Sequence, residues 1–295
     1  MERDAVIIEV ALNEDVPPAR HPYVPQRPQE CADDARRCAE AGAVLVHWHA
    51  IDGNGAPRLA DAALYGAALD AMGGCVLAYP SYPVDVPATV ADRLGHCLEL
   101  RARHQMEIAP LDVATVNVFA TGADGQALVR RDRDTIDNPP SFVLDALACY
   151  TGAGLVPTLA AFDVGSTRAI AALAAAGLLP QPVLLKIFLW ESPLIGPRPS
   201  IEALDLHLRQ LPSDLDVEWL VVTYGMRGPD AVEAIGRAAL ERGGGVRIGL
   251  GDSYRAFPDA PNARLVETVG RWAAEAGRPL ASIADVRQRL GSTVP

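Results

Sequence analysis

Near-continuous apolar runs recur along the chain near residues 5–12, 43–49, 74–79, 112–118, 154–161, 182–190, 217–224 and 245–250. Continuous apolar runs suit parallel strands covered on both faces. Helical stretches lie between them, near 28–42, 59–72, 86–105, 140–152, 165–177, 200–210, 228–242, 262–277 and 282–290. The first carries Pro28 at its start and Gly42 at its end, the asymmetry expected of a helix. Eight β/α units over 1–295 predict a single (β/α)8 TIM barrel domain. A doubly wound open sheet shares the alternation, but no Gly-x-Gly-x-x-Gly follows the first run.

A barrel places its chemistry at the C-terminal ends of its strands, and polar residues of this chain collect there. The second run, Ala43-Val44-Leu45-Val46, ends in His47-Trp48-His49. Side chains alternate along a strand, so both imidazoles face one way and Trp48 the other. Two neutral imidazoles converging from a rigid strand are half of a site for zinc or a related divalent ion. A pair of hydrogen-bonded polar residues has the same spacing. Asn13, Glu14 and Asp15 follow the first run, and Pro80-Ser81-Tyr82 the third. Thr115 and Asn117 end the fourth; Arg247, Gly251 and Asp252 lie on or after the eighth. Two connections are long: 119–139, with Gly122, Asp124, Arg130, Arg131, Asp132 and Arg133, and 191–200, with Pro193, Pro197 and Pro199. Such loops serve as lids or oligomer contacts, or are merely mobile.

Composition narrows the class. With 49% hydrophobic and 21% charged residues, the chain reads as an ordinary soluble domain. A net charge of −11 without a Lys/Arg-rich stretch argues against nucleic acid, whose phosphates need clustered cations. The polar start lacks the features of a signal peptide, and no run has the length of a membrane span. The cysteines (Cys31, Cys38, Cys75, Cys97, Cys149) are odd in number and form no C-x-x-C pair. They read as reduced thiols of a cytoplasmic protein.

Taken in order, several segments resemble the β-keto acid cleavage enzymes, the family of the 3-keto-5-aminohexanoate cleavage enzyme. They are Val10-Ala11-Leu12-Asn13, Ala41-Gly42-Ala43 leading into His47-Trp48-His49, Asp52-Gly53, and Ala114-Thr115-Val116-Asn117. Near the C-terminus follow Val246-Arg247-Ile248-Gly249-Leu250-Gly251-Asp252, Asn262-Ala263-Arg264-Leu265-Val266 and Gly277-Arg278-Pro279-Leu280-Ala281. The ordered set is specific, although each piece alone is weak. The resemblance implies a metal-dependent barrel that assembles into homo-oligomers, dimers or tetramers. It implies a reaction of a β-keto acid with acetyl-CoA that gives acetoacetyl-CoA and a new acyl-CoA. It implies His47 and His49 as ligands of Zn2+ or a similar ion, Asp252 as general base, and Arg247 as the residue that orients it. Asn13, Glu14, Ser81, Thr115 and Asn117 fall at substrate-binding positions. An arginine beside Asp252 lowers its pKa, so position has to matter more than basicity.

The chain also departs from the family pattern. Gly251 stands where relatives carry a glutamate that is the third metal ligand, and glycine offers no donor. Asp252, Glu14, Asp15 or a lumen-facing Glu9 remain to complete the site. Tyr79-Pro80-Ser81-Tyr82 replaces a Ser-Thr-Gly run, which puts Ser81 one place over. Pro157-Thr158-Leu159-Ala160 lacks the acids that meet the amine of the aminohexanoate substrate, which favours a neutral or apolar acid. Leu189-Trp190-Glu191 replaces a glycine-rich stretch at the CoA end. Two other readings stand beside the enzyme: a degenerate homologue that binds a keto acid or acyl-CoA without turnover, and a metal hydrolase of the amidohydrolase type. The hydrolase reading lacks its further strand histidines, since His21, His96, His104 and His207 fall in predicted loops or helices.

Overall fold

A computed structural model describes residues 4–14, 16–104, 106–121, 127–128 and 135–291. Eight strands form one parallel sheet: β1 (Ile8–Ala11), β2 (Leu45–Trp48), β3 (Leu77–Pro80), β4 (Ile108–Asp112), β5 (Val156–Ala161), β6 (Val183–Trp190), β7 (Val217–Tyr224) and β8 (Gly245–Ile248). Their order is β3-β2-β1-β8-β7-β6-β5-β4, a sheet curled until its end strands β3 and β4 approach each other. This is the predicted barrel, closed except for one unladdered seam. Pro110 lies at that seam: it has no N–H to give, and its carbonyl accepts from Tyr150 Oη (3.0 Å) instead of a strand.

Helices α1 (Pro28–Glu40), α2 (Ala62–Met72), α3 (Val90–His104), α4 (Pro140–Ala153), α5 (Val164–Ala175), α6 (Ile201–Leu208) and α7 (Pro229–Glu241) follow the first seven strands. After β8 come a helical turn (Leu250–Ser253) and helices α8 (Asn262–Glu275) and α9 (Ile283–Leu290). Starts follow local chemistry: proline opens α1, α4 and α7, and the Asp61, Asp163, Ser200 and Ser282 side chains cap α2, α5, α6 and α9. None of the described helices is long and apolar enough to cross a membrane.

The sequence placed the fourth strand at 112–118; the structure places it at 108–112. The alternation in Ala114–Val118 belongs instead to a short antiparallel ribbon, Val116–Asn117 against Thr135–Ile136. The true strand is interrupted by Pro110, which disguised it. Of the 119–139 connection, Gly122, Asp124, Arg130, Arg131, Asp132 and Arg133 lie outside the described residues, as does Asp15.

Parallel register sets the lumen in layers. Paired residues share a face, so Glu9 sits beside Arg247, Ala11 beside His47, and His47 beside Tyr79. Below them an apolar floor of Leu45, Leu77, Ile108, Leu184 and Leu220 is sealed by Val286 and Leu290 of α9. Above the floor, toward β5–β7, stand Phe162, Phe188, Trp190 and Val222. The layer between floor and rim is ionic.

Candidate functional site

Strand alternation acts at β2 as the sequence predicts. Trp48 turns outward and packs edge-on against Tyr65 of α2, with centroids 5.2 Å apart. His47 and His49 face the lumen, where their Nε2 atoms lie 3.1 and 2.7 Å from the two carboxylate oxygens of Glu14. The ligand-bearing atoms of the three residues fall within 4.8 Å of one another. Glu14 is the only non-glycine among the described residues with positive φ, at 42°. Holding a side-chain-bearing residue there costs energy, and such strain concentrates at functional sites. Asn13 fixes the approach. Its amide donates to His49 O (3.0 Å) and Pro25 O (3.0 Å), and its carbonyl accepts from His49 N (2.8 Å). Asn13 therefore positions the backbone of a histidine, and its side chain is turned away from the cavity expected to hold substrate.

Gly251 and Glu14 are in direct contact. A Cβ at position 251 would lie 2.5 Å from Glu14 Cγ and 3.2 Å from Ala11 Cβ. The Glu14 side chain takes the space that a Cβ at 251 would need. The donor set is thus two imidazoles and one carboxylate, with the carboxylate drawn from the end of β1. Glu9 faces the lumen but lies deeper and outside this trio. The turn bearing Gly251 and Asp252 is held by buried Asn262, which accepts from Leu250 N (2.8 Å) and donates to Leu12 O (2.9 Å). Gly249 precedes it at φ 155°, where a Cβ would strike Ala11 O.

Arg247 ties the ionic layer together. It donates to Asp252 through Nε (3.0 Å) and Nη2 (2.7 Å), to Glu9 through Nη1 (3.1 Å), and to Glu14 through Nη2. Burial pushes Asp252 up to about 6 despite this guanidinium, so desolvation outweighs the ion pair. Burial likewise takes His47 down to about 4, which leaves the imidazole neutral, the form that ligates. Glu14 is held well below the usual carboxylate range: its burial works the other way but is outweighed by His49, His47 and Arg247.

These groups line a cavity of about 510 Å³ at the C-terminal mouth of the barrel. Of the predicted residues, Glu14, His47, His49, Ser81 and Arg247 line it, and Asp252 lies behind Arg247 in a smaller adjoining recess. Thr115 and Asn117 do not line it. The Thr115 hydroxyl donates to Asp137 (3.1 Å) and accepts from Asn138 N (2.9 Å), while Asn117 is exposed on the ribbon. Both follow the strand shift from 112–118 to 108–112.

Sequence reasoning singled out Trp190 but missed Asp112, Lys186 and the aromatic wall that Trp190 forms with Phe162, Phe188 and Tyr224. Asp112 ends the displaced β4 and accepts from Tyr82 Oη (2.9 Å). Lys186, in mid-β6, donates to Tyr79 Oη (2.8 Å), which in turn donates to Glu9. One signal was available for it: Lys186 is the only lysine in the sequence.

Fold and site define an α/β-barrel enzyme built around a buried His–His–carboxylate trio. Residues 5–291 match the family model of the beta-keto acid cleavage enzymes, and the chain belongs to that family. Among similar proteins is the 3-dehydrocarnitine:acetyl-CoA trimethylamine transferase of Rhizobium meliloti (28% identical; 92% of this chain, 91% of the relative). Another is the 3-oxoadipate:acetyl-CoA acetyltransferase of Cupriavidus necator (29%; 97% and 94%). A third is the 3-keto-5-aminohexanoate cleavage enzyme of Acetoanaerobium sticklandii (24%; 98% and 98%). The fold is shared with ObcA, solved in a ternary complex with a C4-CoA adduct and oxalate (TM-score 0.65, 19% identity, 92% of this chain, 68% of that one).

Proposed function

We propose that the chain is a metal-dependent β-keto acid cleavage enzyme that uses acetyl-CoA and accepts an acid with a neutral, apolar tail. The observation that carries this reading is the trio Glu14, His47 and His49 at the cavity, beside the Arg247–Asp252 pair. The residues fit a divalent cation, and zinc suits two imidazoles and a carboxylate. Charge supports it too. Among the described residues, Glu9, Glu14, Asp112 and Asp252 face only Arg247 and Lys186 as Lys/Arg cations in the lumen, two positive charges short of formal balance at neutral pH. Glu14, His47 and His49 would hold such a cation, which would supply Lewis-acid polarisation of the bound keto acid.

Asp252 accepts a proton from the methylene between the two carbonyls, and Arg247 holds its carboxylate in place by two hydrogen bonds. The carbanion adds to the acetyl thioester and expels CoA thiolate. The thiolate then attacks the original keto carbon, and the carbon–carbon bond between that carbon and the methylene carbon breaks. The released acetoacetate carbanion takes the proton back from Asp252, which regenerates the base. One thioester enters, so one leaves: the products are acyl-CoA and free acetoacetate. Mass balance thereby corrects the expected acetoacetyl-CoA.

The aromatic wall opposite the trio, and the absence of a charged residue from β5 (Val156–Ala161), support an apolar tail. A second cavity, also about 510 Å³, adjoins the first across Trp190, and Arg198 and Arg227 line it. Guanidinium groups suit phosphates, so we assign this side to CoA. Zinc as the resident ion and assembly into dimers or tetramers belong to the same reading. The non-catalytic alternative rested on the absent strand-eight glutamate, and the Glu14 carboxylate beside the histidines removes that ground.

The test is acetyl-CoA-dependent loss of β-keto acids by metal-loaded protein, with acetoacetate and the new acyl-CoA measured. The panel spans apolar, dicarboxylic and cationic tails. Turnover best with apolar tails is expected. No turnover across the panel would sink the function, and preference for a charged tail would sink the substrate assignment alone.

A further inference from the structure

The reaction above develops negative charge on two different oxygens. One belongs to the keto acid as its methylene proton leaves. The other belongs to the acetyl thioester as the carbanion adds to it. A cation held by Glu14, His47 and His49 would answer the first. The second needs a separate donor, aimed at where the oxyanion forms.

Most donors in the lumen are already engaged. Arg247 spends Nε, Nη1 and Nη2 on Asp252, Glu9 and Glu14. Both histidine Nε2 atoms face Glu14. Tyr79 donates to Glu9, and Tyr82 donates to Asp112. Lys186 differs. Its ammonium carries three N–H groups and gives one to Tyr79 Oη, with no second acceptor among the described residues. It lines the cavity and is only 3% exposed.

Composition sharpens the point. Of 26 basic residues, 25 are arginines, and the single lysine lies inside the barrel. Stability does not explain it, because burying an ammonium is costly and an apolar residue would pack there more cheaply. Lys186 also shares its strand face with Phe188 and Trp190, and Trp190 separates the acid cavity from the side assigned to CoA.

We propose that Lys186 is the oxyanion donor of the acyl-transfer half of the reaction, hydrogen-bonding the thioester carbonyl oxygen as the carbanion adds to the acetyl carbon. The carbonyl π pair moves onto that oxygen and is stabilised by the ammonium. On collapse it returns, and the thiolate leaves with the carbon–sulfur pair. Tyr79 positions the ammonium by accepting one of its protons. This assignment rests on the acetyl-CoA reading above. Burial brings the Lys186 pKa down to about 8, against the opposing pull of Glu9, Asp112 and Glu14 and with Arg247 adding to the effect. The ammonium is therefore charged at neutral pH and lost in mild alkali.

The experiment separates the two halves. Acetoacetate is the probe, since its acyl part is itself acetyl and no tail need be known. Metal-loaded full-length protein is assayed for deuterium exchange at the acetoacetate methylene without acetyl-CoA, and for passage of carbon label from acetyl-CoA into acetoacetate. In Lys186→Met, label transfer is expected to fall by about 10²- to 10³-fold while methylene exchange stays within about threefold of wild type. In wild type, transfer but not exchange declines above pH 8, and Lys186→Arg shifts that decline upward. Equal loss of both halves, or loss of neither, overturns the proposal. So does loss of transfer in Trp190→Phe with Lys186→Met unaffected, which would assign the role to the buried, unpartnered Trp190 Nε1. Should Lys186→Met not fold, reductive dimethylation of the wild type modifies this one lysine besides the N-terminus. It leaves a single N–H, which Tyr79 takes, and the same split is expected. A wild type that performs neither half overturns the cleavage chemistry itself, and the assignment with it.

Discussion

At the scale of single residues, the site turns on the pair Gly251 and Glu14. A methyl group at 251 meets Glu14 Cγ at 2.5 Å, so any side chain there displaces the carboxylate from the two histidines. Gly251→Ala is expected to weaken divalent-metal affinity by roughly tenfold or more, measured by competition with a chromogenic chelator. Glu14→Ala/Gly251→Glu moves the carboxylate to strand eight and is expected to recover much of the binding lost in Glu14→Ala. Wild-type affinity in Gly251→Ala would contradict the coupling. Asp252 carries a second prediction. Burial raises it to about 6, and a base works only when ionised. Methylene exchange is expected to rise about tenfold per pH unit below 6 and to level off above it. A profile flat from pH 4.5 to 7.5 would point to another base. Glu14, His47, His49 and Arg247 were legible as candidates because they sit at strand ends. Which carboxylate completes the trio was not legible, because that depends on a contact between chain positions 14 and 251.

Elements explain what was misplaced. A run of alternating residues after β4 looked more like a strand than β4 itself, whose Pro110 breaks the local pattern. Moving the strand removed Thr115 and Asn117 from the site and brought in Asp112. The connections matter as much as the strands. Arg93 of α3 donates to Val84 O (3.0 Å), Val86 O (2.9 Å), Asp137 O (2.7 Å) and Asn138 Oδ1 (2.8 Å). One buried guanidinium thus binds the loop after β3, which walls the cavity, to the segment before α4. The loop after β6 presents Arg198 to the second cavity. Arg198→Ala is expected to raise KM for acetyl-CoA about tenfold with kcat little changed, because it touches only the remote part of the cosubstrate. An unchanged KM would place CoA elsewhere.

For the whole molecule, the main consequence is a charged layer enclosed between an apolar floor and an aromatic rim. Such a layer makes stability depend on pH. His47 moves from its ordinary 6.5 to about 4 on burial, so the folded state binds fewer protons than the unfolded state between those values. The stability this represents is complete above pH 6.5 and is lost as pH falls through 4, on the order of 3 kcal/mol. Metal-free wild type is expected to lose that much relative to His47→Gln between pH 7 and 4, read from denaturant unfolding. Parallel curves for the two proteins would show that His47 is not buried neutral.

By itself the sequence determined the barrel, the outward turn of Trp48, the inward turn of both histidines, and the family. Each of these depends on periodicity or on motif order along the chain, which local sterics translate directly into structure. Only the tertiary structure decided that the Glu14 carboxylate meets both histidines. The same is true of Asp112 replacing Thr115 and Asn117 at the cavity, and of Asn13 holding a backbone. Lys186 stood out in composition, but its meaning came from the register that sets it facing Tyr79 across the lumen. Those are contacts between residues far apart in the chain, fixed by how eight strands close around a common axis, and no local pattern encodes them.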